Sequence, residues 1–234
     1  VVPFAISAFR EIHYLAPLVH NFDDHHYDQV LQAIDRRWFG DVDGFWVGAL
    51  PGPLVDLLHG CYWFYYVALL IPGWALFSRN DLLKMREYLS VVMLSVLVSY
   101  LGYFAVPAIG PHHFLDPRPA SLDGWLLGGV MHRLVMAAEL RMPDAFPSGH
   151  ALMSMVVIAM AWRLYRPLFR WVLLPSLGCI LATIALRYHY VVDVAASVAL
   201  FPALILGGTL LHRWWEAVDV SAPQEREQPT SSLP

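Results

Sequence analysis

The chain has 234 residues, 58% of them hydrophobic and only 15% charged, with a mean hydropathy of +0.50. A soluble domain carries roughly a quarter charged residues, so the composition excludes an ordinary water-soluble globule and marks a membrane protein. The formal net charge is −4 with no basic cluster to suggest nucleic acid, and Cys61 and Cys179 lie inside apolar runs, which excludes a disulfide framework and leaves both as packing residues.

Residues 1–22 are apolar but broken by Pro3, Arg10, Glu11, His13 and Pro17, the pattern of an interfacial lead-in. Because the sequence starts at Val1 and not Met, an upstream segment, a sixth helix or a signal, stays open. From Asp23-Asp24 to Gly40 a helix is predicted in which Tyr27, Val30, Leu31, Ile34 and Trp38 recur at helical spacing, with Asp28, Gln29, Asp35 and Arg36 opposite. Such a helix lies along the membrane surface, its apolar stripe in lipid. Pro51-Gly52-Pro53 then punctuates the chain. Five apolar segments follow, at 60–78, 88–111, 147–162, 171–186 and 194–211. A bilayer core takes about 20 residues to cross; the last three segments fall short and need Arg or Trp at their ends to extend them. Segments three and four are joined only by Arg163–Pro167, so they form a helical hairpin. The fold predicted is all-α, a polytopic transmembrane helix bundle over 51–213, preceded by an interfacial region at 1–50 and followed by a disordered cytoplasmic tail at 214–234.

Positive charge sets the orientation. Arg79, Lys84 and Arg86 stand between spans one and two, Arg163, Arg166 and Arg170 between spans three and four, and Arg213 after span five. With five alternating spans these share one side, which is then cytoplasmic. The outer side receives the N-terminal region, the long 112–146 loop, itself carrying an amphipathic stretch near 121–141, and the turn at Arg187-Tyr188.

Two short motifs on that outer side carry the chemistry. His189 and Asp193 are four apart, so on a helix they share a face. A carboxylate accepting one ring N–H fixes the tautomer and makes the other nitrogen a better nucleophile or base. Asp193 also opens an apolar span, where an ionisable group reads as functional; a structural His–Asp pair capping an interfacial helix is the alternative. In Phe146-Pro147-Ser148-Gly149-His150, Ser148 is placed to cap a helix whose free amides and dipole form an anion site. Gly149 permits close approach of a phosphate. His150 then stands beside that phosphate, able to protonate a departing oxygen. Taken alone, the same motif is an ordinary cap with an interfacial histidine.

Together, in this order and on one membrane side, the motifs resemble those of the type 2 phosphatidic acid phosphatase superfamily. Phe-Pro-Ser-Gly-His matches its second signature and His189-x-x-x-Asp193 the core of its third. Tyr188–Val194 is most similar to the lipid phosphotransferase branch, which includes sphingomyelin synthases and fungal inositol phosphorylceramide synthase. The stretch Tyr27-Asp28 to Asp35-Arg36-Arg37-Trp38-Phe39-Gly40 resembles the pre-span element of the inositol-phosphotransferase-like proteins. The resemblance covers roughly residues 25–212. It implies that His189 is the nucleophile forming a phosphohistidine, that Asp193 orients it, that His150 is the acid for the leaving group, and that Ser148 and Gly149 hold phosphate oxygens.

The chain departs from the phosphatase pattern at two cations. The first signature has a lysine seven residues before Arg-Pro; here Arg118-Pro119 is present but Pro111 stands at the lysine position. The third has an arginine six before its histidine; here that residue is Thr183, in Ala182-Thr183. Such losses favour the phosphotransferase branch. Charge on the phosphoryl oxygens still has to be neutralised. Arg187, Arg118 and Arg141 are the candidates, with Arg187 foremost unless it is only an interfacial anchor. His112 and His113 are candidate substrate contacts or simply a polar loop start, and His13, His25 and His26 read as surface residues.

The implied activity is an integral-membrane enzyme, without metal or cofactor, that cleaves a phospholipid or lipid phosphate ester through His189. It passes the phosphoryl or phospho-headgroup to a lipid hydroxyl or to water at the extracytoplasmic face of a cell membrane, bacterial by expectation. The substrate is a membrane lipid, a sphingolipid or inositol lipid by analogy with the branch; no nucleic-acid partner is expected, and the oligomeric state is not legible. The alternative is a plain lipid-phosphate phosphatase, acting for example on phosphatidate or a prenyl diphosphate. A haem- or metal-binding membrane protein is a more remote reading, because cofactor bundles need paired histidines well inside facing helices. A transporter without covalent chemistry lacks the broken midplane helices or charges it would need.

Overall fold

A computed structural model describes residues 27–45, 49–115, 119–139 and 143–221. The expected lead-in at 1–22, the residues from 222 onward, and Arg118, Arg141, His13, His25 and His26 lie outside the described residues. The described chain is helical: α1 (Asp28–Trp38), α2 (Val42–Phe45), α3 (Gly52–Ala68), α4 (Leu70–Ser78), α5 (Leu82–Ala105), α6 (Pro111–Phe114), a 3₁₀ turn (Ala120–Asp123), α7 (Gly128–Glu139), α8 (Gly149–Leu164), α9 (Arg166–Ala185) and α10 (Val191–Ser221).

Three helices are long and apolar enough to cross a membrane, those starting at Leu82, Arg166 and Val191, and α3 with α4 makes a fourth if the bent pair counts as one span. The chain is therefore an integral membrane protein. The apolar segments of the sequence predict five spans. The segment predicted at 60–78 is broken by a 43° bend at Leu69, because Pro72 lacks an N–H and its ring crowds the carbonyl of Ala68. The third segment, α8, has only 16 residues, about 24 Å of helix against a hydrocarbon core of roughly 30 Å. Ser148 caps its start, and Pro167 stands just after its end at Leu164.

Burial explains how so short a helix is tolerated. α8 packs against α3, α5, α9 and α10. Ala151, Leu152, Met153, Val156, Val157, Met160 and Ala161 are all buried, so nearly every face of α8 meets protein. α9 packs on α8 and α3, and α10 on α5 and α8. Large apolar side chains such as Leu57, Leu101, Leu174 and Leu206 point outward, as a lipid-facing surface requires. Cys61 and Cys179 are both free thiols.

The cationic turns gather at one end. Arg86 Nη1 meets Glu216 at 3.2 Å, Lys84 meets Asp81 at 2.6 Å, and Arg163 pairs with Glu87 while donating to Thr209 Oγ1 at 2.8 Å. Arg79 covers the Tyr165 ring at 4.8 Å. The Glu216 pair also bears on the boundary expected at 213. With no proline or glycine between Arg213 and Pro223, α10 continues to Ser221.

The opposite end carries α1, α6, α7 and the loops between them. Asp56 on α3 accepts the amides of Trp125, Leu126, Leu127 and Gly128 at 2.7–3.2 Å, which ties the start of α7 and the loop before it to the bundle. α1 keeps most of its apolar stripe outward, but its acidic side chains turn inward. Asp28, Leu31 and Asp35 are the buried side, whereas Tyr27, Val30 and Trp38 are exposed. The two carboxylates are spent on backbone amides. Asp28 accepts from Ile109 and Gly110 at 2.9 Å each and from the Tyr190 hydroxyl at 2.9 Å. Asp35 accepts from Val191 at 2.7 Å and Val192 at 2.8 Å. A hydrophobicity pattern takes acidic side chains as solvent-facing, and here they cap other elements.

Candidate active site

The histidines of the two motifs sit at the starts of α8 and α10, and one serine joins those starts. Ser148 caps α8 by accepting the Ala151 amide at 3.3 Å. Its own amide donates to the Asp193 carbonyl at 3.2 Å, and the Ser197 hydroxyl donates to the carbonyls of both Ser148 and Asp193 at 2.9 Å. Ser148 is fully buried. Its amide, hydroxyl and carbonyl hold the two helix starts together. Gly149 also has a local reason to be glycine. A Cβ there would lie 2.3 Å from the Tyr103 hydroxyl.

His150 and His189 face each other, with ring centroids 5.9 Å apart and planes at 53°. His189 is buried, and its Nδ1 lies 2.8 Å from the Ala145 carbonyl. A carbonyl only accepts, so Nδ1 carries the proton and Nε2 is left with the lone pair. Asp193 stands slightly further off, its Oδ2 3.5 Å from the same Nδ1. That oxygen also accepts the Tyr190 amide at 2.8 Å. The carboxylate therefore adds charge beside a tautomer that the Ala145 carbonyl has already selected. The His189 amide is held by the Thr183 carbonyl at 2.8 Å, with Thr183 fully buried. The place where the resembling signature has an arginine is thus occupied by a neutral, enclosed side chain.

His150 is enclosed by aromatic rings. Tyr62 stacks on it with centroids 4.3 Å apart at 22°, and Tyr65 lies 4.2 Å away at 45°. Tyr62 Oη is 3.3 Å from His150 Nδ1. His150 Nε2 is buried and has no hydrogen-bond partner. A ring nitrogen shut away from water without a partner has an unmet need that a ligand oxygen would satisfy. Between them, the imidazoles can hold a tetrahedral oxyanion, one nitrogen offering a lone pair and the other exchanging a proton.

The family model of the PAP2 superfamily matches residues 29–206. The chain belongs to the PAP2 superfamily. PAP2 superfamily enzymes are phosphatases or phosphotransferases, so the protein is an enzyme, and membership implies a lipid phosphate as substrate. No curated protein and no solved structure matches the chain.

The remaining sequence candidates fall unevenly around the two histidines. On α6, the His112 ring lies 4.2 Å from that of His113 and 5.5 Å from that of Tyr188. Burial holds the His112 imidazole well below its usual range, with the neighbouring His113, His189 and His132 pushing the same way and the Tyr188 backbone opposing. His112 is therefore neutral at pH 7 and acts as a hydrogen-bonding group, not a cation. Gly110, with φ of 82°, makes the turn that brings it in. Arg187 lies in the turn before His189, half-buried, with φ of 63°. A left-handed backbone is uncommon for a residue with a Cβ.

Several contributors had no sequence signal. Asp144 lies beside His189, and burial pushes its carboxyl up to about 7. Behind the site, His59 Nε2 donates to the Leu122 carbonyl at 3.1 Å, which leaves its Nδ1 to accept from the Tyr188 hydroxyl at 3.5 Å. His132 Nδ1 in turn lies 3.0 Å from that hydroxyl. Ser197 was open to detection, since His189, Asp193 and Ser197 are spaced four apart on one helix face. Among the described residues, no group of three or more His, Cys, Asp or Glu is arranged to hold a metal ion.

Proposed function

We propose that the protein cleaves a lipid phosphate ester by double displacement through a phosphohistidine. His189 Nε2 attacks phosphorus and the P–O bond to the leaving group breaks. His150 Nε2–H gives its proton to the departing oxygen. In the second half, water or a lipid hydroxyl attacks the phosphorus, its proton passes to His150 Nε2, and the N–P bond breaks. The observation that carries this reading is the facing pair at 5.9 Å with the His189 proton confined to Nδ1 by the Ala145 carbonyl. Asp193 stabilises the positive charge that develops on His189. The amides of Gly149 and His150 and the side chains of Arg187, Arg118, Arg141, His112 and His113 are the proposed contacts for phosphoryl oxygens and headgroup.

Among acceptors we favour a lipid hydroxyl, as in the inositol phosphorylceramide and sphingomyelin synthase branch. The two phosphatase-signature cations are replaced by Pro111 and Thr183, and Thr183 is wholly enclosed. In the membrane, α8 completes a five-helix crossing, with the cationic end cytoplasmic by the positive-inside rule and the two histidines at the extracytoplasmic interface. The experiment is a panel of lipid phosphates and phospholipids assayed with and without a lipid alcohol for both free phosphate and new phosphodiester. New phosphodiester that requires the alcohol and is lost in His189→Ala supports transfer. Free phosphate alone assigns a phosphatase, and unchanged turnover in His189→Ala overturns the mechanism.

A further inference from the structure

Tyr62 belongs to neither motif, yet it both stacks on the His150 ring and places its hydroxyl against that ring's Nδ1. It lies on the buried stripe of α3 formed by Val55, Leu58, His59 and Tyr62, and its side chain is 1% exposed. One ring face stacks on His150, and Tyr62 also stacks on Tyr188 at 4.2 Å and 23°. Tyr188 is the chain neighbour of His189, and its hydroxyl is anchored by His59 and His132. A column of three rings thus runs from the residue beside one histidine to the imidazole of the other. Offset stacks of this kind resist ring rotation.

We propose that Tyr62 is a positioning residue for proton transfer by His150. It fixes the ring plane by stacking, and its hydroxyl oxygen accepts the Nδ1–H. This inference rests on the function proposed above and extends it. His150 must lose a proton when the leaving group departs and regain one from the acceptor. Only Nε2 is without a protein partner, so both transfers run through Nε2. Nδ1 must then keep its proton throughout, and that proton needs an acceptor within reach; Tyr62 Oη at 3.3 Å is one. A second tautomer, with the proton on Nε2 and a bare Nδ1, would leave the resting histidine unable to accept the second proton.

The discriminating measurement is leaving-group dependence. General-acid help matters for an alkoxide, which leaves poorly, and little for a nitrophenolate, which leaves without a proton. The probes are dodecyl phosphate and 2-dodecyl-4-nitrophenyl phosphate, compared by kcat/KM in wild type, Tyr62→Phe, His150→Ala and His189→Ala. Phe keeps the stack and removes the acceptor. Tyr62→Phe is expected to lose about tenfold or more on the alkyl ester, a fraction of the total worth of general acid–base catalysis, and to stay within about twofold of wild type on the nitrophenyl ester. Equal loss on both esters, or no loss on either, overturns the inference. His189→Ala should be inactive on both; if it is active, the underlying mechanism fails and not only the role of Tyr62. A second measurement needs no variant at position 62. In ¹⁵N-histidine spectra of the wild-type protein, assigned by the signal missing from His150→Ala, the neutral His150 ring should be protonated on Nδ1. Protonation on Nε2 would equally overturn the proposal.

Discussion

Replacing Asp35 with alanine tests whether the His189–Asp193 turn is held from outside the bundle. Asp35 is 4% exposed and accepts the Val191 and Val192 amides at 2.7 and 2.8 Å. These are first-turn amides of α10 and have no carbonyl behind them within the helix. A hydrogen bond to a charged group is worth about 1.5–3 kcal/mol. Both amides are only half-buried and water can partly replace the carboxylate, so the lower end applies, giving about 2–3 kcal/mol for the pair. For a chain of this size that corresponds to roughly 4–12 °C in Tm. Asp35→Asn keeps one acceptor oxygen and should lose about half as much. Because the turn carries His189, kcat should fall in Asp35→Ala by more than KM rises. The assays are thermal unfolding in detergent and turnover of the lipid substrate. Unchanged Tm and turnover in the alanine variant would refute the idea that α1 positions the turn.

Four further outcomes follow from the same geometry. His189→Ala and Asp193→Asn should reduce turnover severely, by about a hundredfold or more for the former, with Tm retained, as measured in parallel assay and unfolding. Treatment with a chelator should leave turnover unchanged, because every proposed step uses side chains of the chain itself. Gly149→Ala should lose about 1–3 kcal/mol of stability by overpacking against the Tyr103 hydroxyl; adding Tyr103→Phe should recover most of it, since the next nearest atom lies 3.6 Å away. The Asp144 carboxyl, raised from 3.8 to about 7, gives a signed pH dependence. Between those values the folded protein binds more protons than the unfolded chain, so this group makes stability fall as pH rises from about 4 to about 7 and level off above. Asp144→Asn should flatten that slope in Tm measured across the range.

The helical class, the charged end and the meeting of two distant histidines were all readable from composition, arginine placement and two motifs. These features depend on local chemistry or on the return of the chain to the same face. Three features were not readable. The bend at Leu69 depends on Pro72 inside an apolar run that otherwise looks continuous. α8 is shorter than a bilayer core is thick because its cap and Tyr165-Arg166-Pro167 enclose only 16 residues, and its burial on most sides cannot be seen in a hydropathy profile. The inward carboxylates of α1 defeat a polarity pattern, since Asp28 and Asp35 satisfy amides more than 80 and 150 residues away along the chain. At the site, the pairing of His189 with Asp193 was visible as a spacing of four. The shorter bond from Nδ1 goes to the Ala145 backbone, and a backbone carbonyl leaves no mark in the side-chain pattern. Tyr62 was hidden for a related reason, as one aromatic among several in Tyr62-Trp63-Phe64-Tyr65-Tyr66, where only the fold shows which ring meets His150.

The most direct test of covalent catalysis is to quench the enzyme in alkali during turnover of a phosphorus-labelled lipid substrate and to map the label by mass spectrometry. The expected result is an acid-labile, alkali-stable phosphoryl or phospho-headgroup adduct on His189, with no label in His189→Ala. Label on another residue, or turnover at full rate with no adduct at His189, would contradict the account.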